Sequence, residues 1–410
     1  MGTWFEDSDL QALAATHGTP FYAYHRPTLV ARTEAVSAAL GDAYALYYAV
    51  KANSNLALLR ELCGRVAGLD VSSWGEIEQG RLAGFDPSAM SFAGPAKTND
   101  ELMRAVEARI GCISVESSGE ITRLAAICAR LGRTANVVLR INPAREVKDF
   151  AMKMGGRATQ FGIPEADMER AAAAIRANAA VLRFDGVHVY AGTQCFEPES
   201  ICAGVEDTMR LAHALWPGDS APAVINCGGG FGVSYFDEQE LDLGTTAAGL
   251  RALAERHDPD RRTRRIIELG RYLVSSCGIY VARVVDVKRS QGTIYATLDG
   301  GMNHHQAAAG NLGGGLRRNY LVYNTSNPRG APITCSLAGP LCTPIDLMGS
   351  KLSLLEPRVG DLLAFANSGS YGFTASPLFW LGRGSPVELM GDDAAGWAVV
   401  RAARDLQALN

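Results

Sequence analysis

The sequence predicts an α/β fold: a (β/α)8 TIM-like barrel followed by a smaller, mostly antiparallel β domain. Three observations predict it. Short apolar runs alternate with Ala/Leu/Arg-rich helical stretches between residues 44 and 268, and the alternation stops after Arg271. Beyond that point come short β-rich runs separated by turn residues, with almost no helix. Strands interleaved with helices imply a parallel sheet, and eight such units in about 225 residues is the size of a closed barrel. A doubly wound open sheet is the alternative.

The elements follow in order. The opening stretch "TPFYAYHRPTLV" is strand-like and is expected to join the β domain, so residues 1–25 are assigned to it, 26–272 to the barrel and 273–410 to the β domain proper. The barrel strands are expected at 44–50, 66–72, 90–93, 111–115, 136–141, 184–190, 223–227 and 265–268. Between them lie amphipathic stretches such as "NLALLRELCGR", "EIEQGRLAGF", "ELMRAVEARI" and "GEITRLAAICARLG". The β domain reads from "GIYVARVVDVKRS", "GTIYATLDGG", "NYLVYNTS", "APITCSLAGP", "GDLLAFANSGSYG" and "GSPVELMG".

Composition narrows the function. With 410 residues, 47% of them hydrophobic, the chain can bury a large core. A net charge of −4 points away from nucleic acid. The one basic cluster, Arg261, Arg262, Arg264 and Arg265, reads as a solvated turn between helix and strand. Nine cysteines without any CxxC suit free thiols in a reducing cytoplasm. No signal peptide and no membrane-spanning run is expected. His304 and His305 lack a third ligand at plausible spacing, so no metal is expected.

In such a barrel the active site lies at the carboxyl ends of the strands. Lys51 follows the first strand there and Asp70 ends the second, while Arg140 and Asn142 belong to the fifth. His188 and Tyr190 belong to the sixth, Gly228, Gly229 and Gly230 follow the seventh, and Glu268 ends the eighth. Each alone reads equally well as a solvated strand end; their convergence on one face is the stronger signal. The triplet in "NCGGGFG" strips side chains from a loop so that backbone N–H groups can approach an anion. "ELGR" adds Gly270 and Arg271 after the eighth strand, and loops seven and eight are the usual phosphate site of this barrel. A phosphate site, a strand-end lysine and a buried carboxylate together suggest pyridoxal 5′-phosphate, which bonds to lysine and needs a partner for its ring nitrogen.

At this level of detail the chain resembles the fold type III pyridoxal-phosphate decarboxylases, the alanine racemase-like family that acts on ornithine, arginine and diaminopimelate. The resemblance runs in order along nearly the whole chain: "YYAVKAN", "GLDVSSWGEIE", "LRINP", "INCGGGFG", "IIELGRYLV", "GPLCTPID" and "SGSYG". It implies that Lys51 carries the cofactor and that Asp70, Arg140, His188, Tyr190, Thr193, Gly228–Gly230, Glu268, Gly270, Arg271 and Tyr371 surround it. Glu268 would hold the ring nitrogen and Arg271 the phosphate. Cys342 would return a proton to the α-carbon, and Cys342 and Tyr371 would reach the site from the partner subunit of a homodimer.

Two departures matter. Tyr190 stands where the family stacks a histidine on the cofactor ring, with His188 at the earlier position; a phenol ring can still stack. After the cysteine, ornithine and diaminopimelate decarboxylases carry an acid that binds the substrate's distal ammonium, whereas here Thr343 and Pro344 follow, with Asp346 further on. A neutral hydroxyl cannot pair with an ammonium as a carboxylate does. Either Asp346 substitutes among the substrate-binding residues Cys342, Thr343 and Asp346, or the substrate has no simple distal amine. "GPLCTPID", "YAGTQ" and "FWLGRGSPVELM" resemble a subgroup of siderophore and antibiotic biosynthesis whose members decarboxylate conjugated amino acids, such as citryl-diaminopropionate or carrier-linked glutamate. A free diamino-acid decarboxylase, an amino-acid racemase and a non-catalytic homologue are the competing readings.

Overall fold

The computed structural model describes residues 4–405 except 154, 219, 238, 311–317, 328 and 393, and the side chains of 152 and 153. It divides into two compact units. One comprises Arg32–Val233 and Glu240–Gly270; the other comprises Met1–Ala31, Ser234–Gln239 and Arg271–Asn410. The segment Ser234–Gln239, which the sequence places inside the barrel, groups with the β unit.

The first unit is a closed barrel. Its eight parallel strands run Ala45–Ala49, Gly68–Val71, Met90–Phe92, Cys112–Val115, Ala135–Asn142, Leu182–His188, Val224–Gly229 and Arg264–Leu269. The ring closes where Ile266 and Glu268 of the last strand register with Ala45 and Tyr47 of the first. An open sheet would leave that edge unpaired, so closure decides against the doubly wound alternative. Leu69, Val71, Phe92, Val115, Val137 and Leu139 are buried, as expected of strands covered on both faces.

Local chemistry fixes where the helices begin and end. Ser73 caps Trp74–Ala83, Thr98 and Glu101 form a reciprocal capping box on Asn99–Glu107, and Ser117 caps Ser118–Leu131. Two of these helices stop at a glycine in the left-handed region, Gly84 (φ 101°) and Gly132 (φ 61°). Arg265 corrects the expectation of a wholly solvated basic turn. It is 5% exposed, donates to the Ala43 carbonyl at 2.9 Å and pairs with Asp258 at 2.6 Å.

The second unit is built on a nine-stranded sheet. Phe21–His25 lies in its middle, antiparallel to Gly278–Ser290 and parallel to Val387–Asp392. Pairing is otherwise mostly antiparallel; Thr293–Leu298 with Pro332–Ala338 is a second parallel contact. Helix Asp7–His17 buries Leu10 and Leu13 against Phe21, Ile279, Val281, Leu362 and Leu389, so the N-terminal segment is part of this core. Among the described residues no helix is long and apolar enough to cross a membrane.

Candidate active site

The barrel gathers its polar strand ends into one constellation. The strand Ala45–Ala49 passes into a short 3-10 turn, Val50–Ala52, that carries Lys51. The Lys51 amine lies 2.8 Å from Asp70 Oδ2, with the lysine side chain 42% exposed and the carboxylate 1% exposed. Burial and the neighbouring Glu268 push the Asp70 carboxyl up, against the pull of Lys51. The ring of Tyr190 lies 5.9 Å from the Lys51 nitrogen.

Lys97, after the third strand, tests the choice of amine. It is 3% exposed, donates to the carbonyls of Gly94 (2.6 Å) and Ser114 (2.9 Å), and pairs with Glu120 at 2.8 Å. Lys97 is thus buried and enclosed by acceptors, whereas the Lys51 side chain is 42% exposed. The geometry therefore favours Lys51 as the reactive amine.

Glu268 ends the last strand inside the barrel, 4% exposed. Its Oε1 accepts from the Asn226 amide and its Oε2 lies 3.5 Å from His188 Nε2. Burial alone would raise its pKa, but the neighbouring His188, the charge of Lys51 and the Asn226 hydrogen bond outweigh burial and hold it at about 2. It is thus a buried, ionised acceptor. His188 is fixed on its other side by Ser114 Oγ at 2.8 Å, so it orients Glu268. Tyr190 is half-buried beside Lys51.

The glycine loop depends on missing side chains. Gly228 and Gly230 hold φ of 62° and 94°, and Gly228 N–H is fixed by Asn226 Oδ1 at 3.0 Å. A Cβ on Gly230 would sit 2.3 Å from the Gly192 carbonyl, in the short strand that contains buried Thr193. A Cβ on Gly270 would meet Ala52 Cβ at 2.9 Å, directly beside Lys51 in sequence. Arg140 pairs with Glu116 at 2.7 Å, and Glu116 also takes the N–H groups of Gly94 and Gly162. Arg140 therefore anchors loops.

The β unit carries the remaining expected residues. Arg271 faces the ring of Tyr371 at 4.8 Å. The Tyr371 ring, expected to reach the site from a partner subunit, packs here on an arginine of its own chain. Cys342 is an exposed free thiol and Thr343 is partly exposed, with Ile345 beside them 47% exposed. Asp346 departs from the substrate-binding expectation. It is 3% exposed, and its two oxygens accept the N–H groups of Met302 (2.6 Å) and Leu341 (2.8 Å). That carboxylate is buried and holds the backbone of the loop that displays Cys342.

Sequence reading missed Asn226, Ser114 and the Lys97–Glu120 pair. Asn226 had a usable signal, because it opens the stretch "NCGGGFG" two residues before Gly228. The other two are set by packing between non-neighbouring strands and leave no local mark. Among the described residues no cluster of His, Cys, Asp or Glu could hold a metal ion.

Comparison with known proteins places this geometry in context. Residues 26–275 match the family model for the pyridoxal-binding domain of pyridoxal-dependent decarboxylases. An L-glutamyl-[BtrI acyl-carrier protein] decarboxylase of Niallia circulans is 34% identical over 393 residues, covering 94% of this chain and 91% of that protein. A diaminopimelate decarboxylase of Vibrio cholerae is 34% identical over 378 residues, covering 91% and 88%. The crystal structure of Helicobacter pylori diaminopimelate decarboxylase complexed with L-lysine superposes with a TM-score of 0.88 at 26% identity, covering 98% of each chain. The chain belongs to the pyridoxal-dependent decarboxylase family and is a pyridoxal-phosphate-dependent amino-acid carboxy-lyase.

Proposed function

We propose that the enzyme removes the α-carboxylate of an amino acid whose far end is joined to another group, such as a carrier-linked glutamate or a citryl-diaminopropionate, in siderophore or other secondary-metabolite biosynthesis. One observation carries the proposal: the loop that displays Cys342 offers no acid to a distal ammonium. Thr343 is neutral, and Asp346 is buried with each of its oxygens accepting a backbone N–H. The likeness to a carrier-linked glutamate decarboxylase supports the same reading.

The residues present fit the cofactor. Lys51 offers an accessible amine, Glu268 a buried anionic acceptor for the ring N–H, Tyr190 a flat ring, and the glycines of 228–230 a loop without side chains. Pyridoxal phosphate, when bound, supplies the electron sink that receives the electrons left at the α-carbon as CO2 departs. The chain's residues do the rest. Asp70 holds the Lys51 nitrogen in place. Glu268 keeps a proton on the ring nitrogen, itself kept ionised by His188 and Asn226. Cys342 delivers a proton to the α-carbon, from the partner subunit of a homodimer in which the exposed Ile345 and Cys342 face the neighbour. Arg271 and Tyr371 would hold the phosphate.

A second reading, free diaminopimelate decarboxylation, is favoured by the likeness to several enzymes of that activity. Product mass spectrometry separates the two, using purified, cofactor-loaded protein with diaminopimelate, ornithine, lysine, arginine, citryl-diaminopropionate and carrier-linked glutamate. Turnover confined to conjugates is expected. Efficient turnover of a free diamino acid would overturn the proposal.

A further inference from the structure

We propose that Tyr235, Ser275 and Ser370 form a positioning unit for Tyr371 and Arg271, and that through this pair they set how tightly the cofactor's phosphate is held. The inference rests on the assignment of that pair to the phosphate.

The three hydroxyls are buried together in the β unit. Tyr235 is 4% exposed, and Ser275 and Ser370 are 0% exposed. Tyr235 Oη lies 2.9 Å from Ser275 Oγ and 2.6 Å from Ser370 Oγ, and the two serine oxygens are 2.7 Å apart. Each hydroxyl has one proton and accepting lone pairs, so the triangle closes as a ring in which every group donates to the next. Buried hydroxyls are costly unless paired, and here each is paired only because the other two are present at that distance.

The triangle ties three separate stretches of chain at one point. Tyr235 belongs to Ser234–Gln239, which begins four residues after Gly230; Asn367 Nδ2 also donates to the Ser234 carbonyl at 2.6 Å. Ser275 lies one helical turn beyond Arg271. Ser370 immediately precedes Tyr371, whose φ of 51° puts a bulky aromatic residue in the left-handed region. Such a conformation persists only where its surroundings enforce it. The backbone before it is held too: Gly369 N–H donates to the Ser275 carbonyl at 3.1 Å, and a Cβ there would meet the Val274 carbonyl at 1.8 Å. Ser370 is thus fixed by its backbone and its hydroxyl, and Tyr371 projects from it onto Arg271 at 4.8 Å.

The test separates phosphate anchoring from plain core packing. Tyr235→Phe keeps the ring that packs, tilted, 5.0 Å from Tyr320 and removes only the hydroxyl; Ser370→Ala is the second variant. Full-length protein is stripped of cofactor, and dissociation constants for pyridoxal phosphate and for pyridoxal, which lacks the phosphate, are read from visible absorbance. Losing one buried hydroxyl from the ring should weaken pyridoxal phosphate about tenfold in each variant, with pyridoxal unchanged within about twofold. Equal weakening of both ligands, or of neither, would overturn the proposal. Arg271→Ala is the control: it should abolish the preference for the phosphorylated ligand. If it does not, the phosphate assignment itself is wrong and the role of the triangle falls with it.

Discussion

Replacing Glu268 with glutamine removes one charge and leaves the shape of the side chain almost intact. In the barrel that carboxylate takes the Asn226 amide and faces His188 Nε2 at 3.5 Å. Its displacement from 4.5 to about 2 despite full burial corresponds to about 3 kcal/mol of net stabilisation of the charged form. The site is therefore built around an anion at this point. A neutral amide forfeits that preference and exchanges a charge-assisted hydrogen bond to the cofactor's ring nitrogen for a weaker neutral one. If most of those roughly 3 kcal/mol appear in the barrier, kcat falls about 100-fold. Initial rates of CO2 release at saturating cofactor measure this. Because Glu268 is ionised throughout the neutral range, the deficit should be the same from about pH 6 to pH 9. A Glu268→Gln enzyme within threefold of the parent, with normal cofactor content, would refute the assignment of the anion to the ring nitrogen.

Other consequences follow from the same geometry. Burial holds the Glu76 carboxyl up at about 7, so ionising it opposes folding. That cost is absent below pH 4.5, develops as pH rises toward 7 and is complete above it, reaching about 3 kcal/mol. Denaturant midpoints should therefore show Glu76→Gln gaining stability over the parent between pH 5 and 8, and an unchanged pH profile would contradict this. The opposite sign holds for Glu268, whose contribution is present above pH 4.5 and lost as pH falls toward 2. Thr343→Glu supplies the missing acid beside Cys342, so KM for a free diamino acid should fall at least about tenfold while conjugate turnover drops. Cys342→Ala should reduce kcat with little change in cofactor affinity, because the exposed thiol is assigned to proton delivery and not to holding the cofactor; a parallel loss of cofactor binding would count against its role as proton donor.

The barrel was legible because each strand is a short apolar run and several helices carry their own start or stop, as at Ser73, Thr98 and Gly132. Lys51, Asp70, Glu268 and the glycine loop were legible because a barrel puts strand ends on one face whatever else the chain does. Side-chain direction was not. Asp346 reads as a candidate ammonium ligand by spacing alone, yet two backbone N–H groups 44 and 5 residues away draw it inward. Arg265 reads as one of four solvated arginines, but Asp258 lies seven positions before it on the same side of the turn. Tyr371 lies 100 residues from Arg271 in sequence, and no local pattern announces that their side chains meet. In each case the deciding partner is distant in sequence or set by a turn, and a periodic pattern carries no information about it.

The central claim is that Lys51 is the amine on which the chemistry is built. The chain has six lysines, and Lys97, buried in the barrel, is enclosed by Glu120 and two carbonyls. Borohydride reduction of the cofactor-loaded protein, digestion and peptide mass spectrometry give a direct answer. The pyridoxyl mass should appear on the peptide containing Lys51 and be absent after Lys51→Ala, together with the visible absorbance. A label on Lys97 or any other lysine, or a Lys51→Ala protein with an unchanged spectrum, would contradict the account.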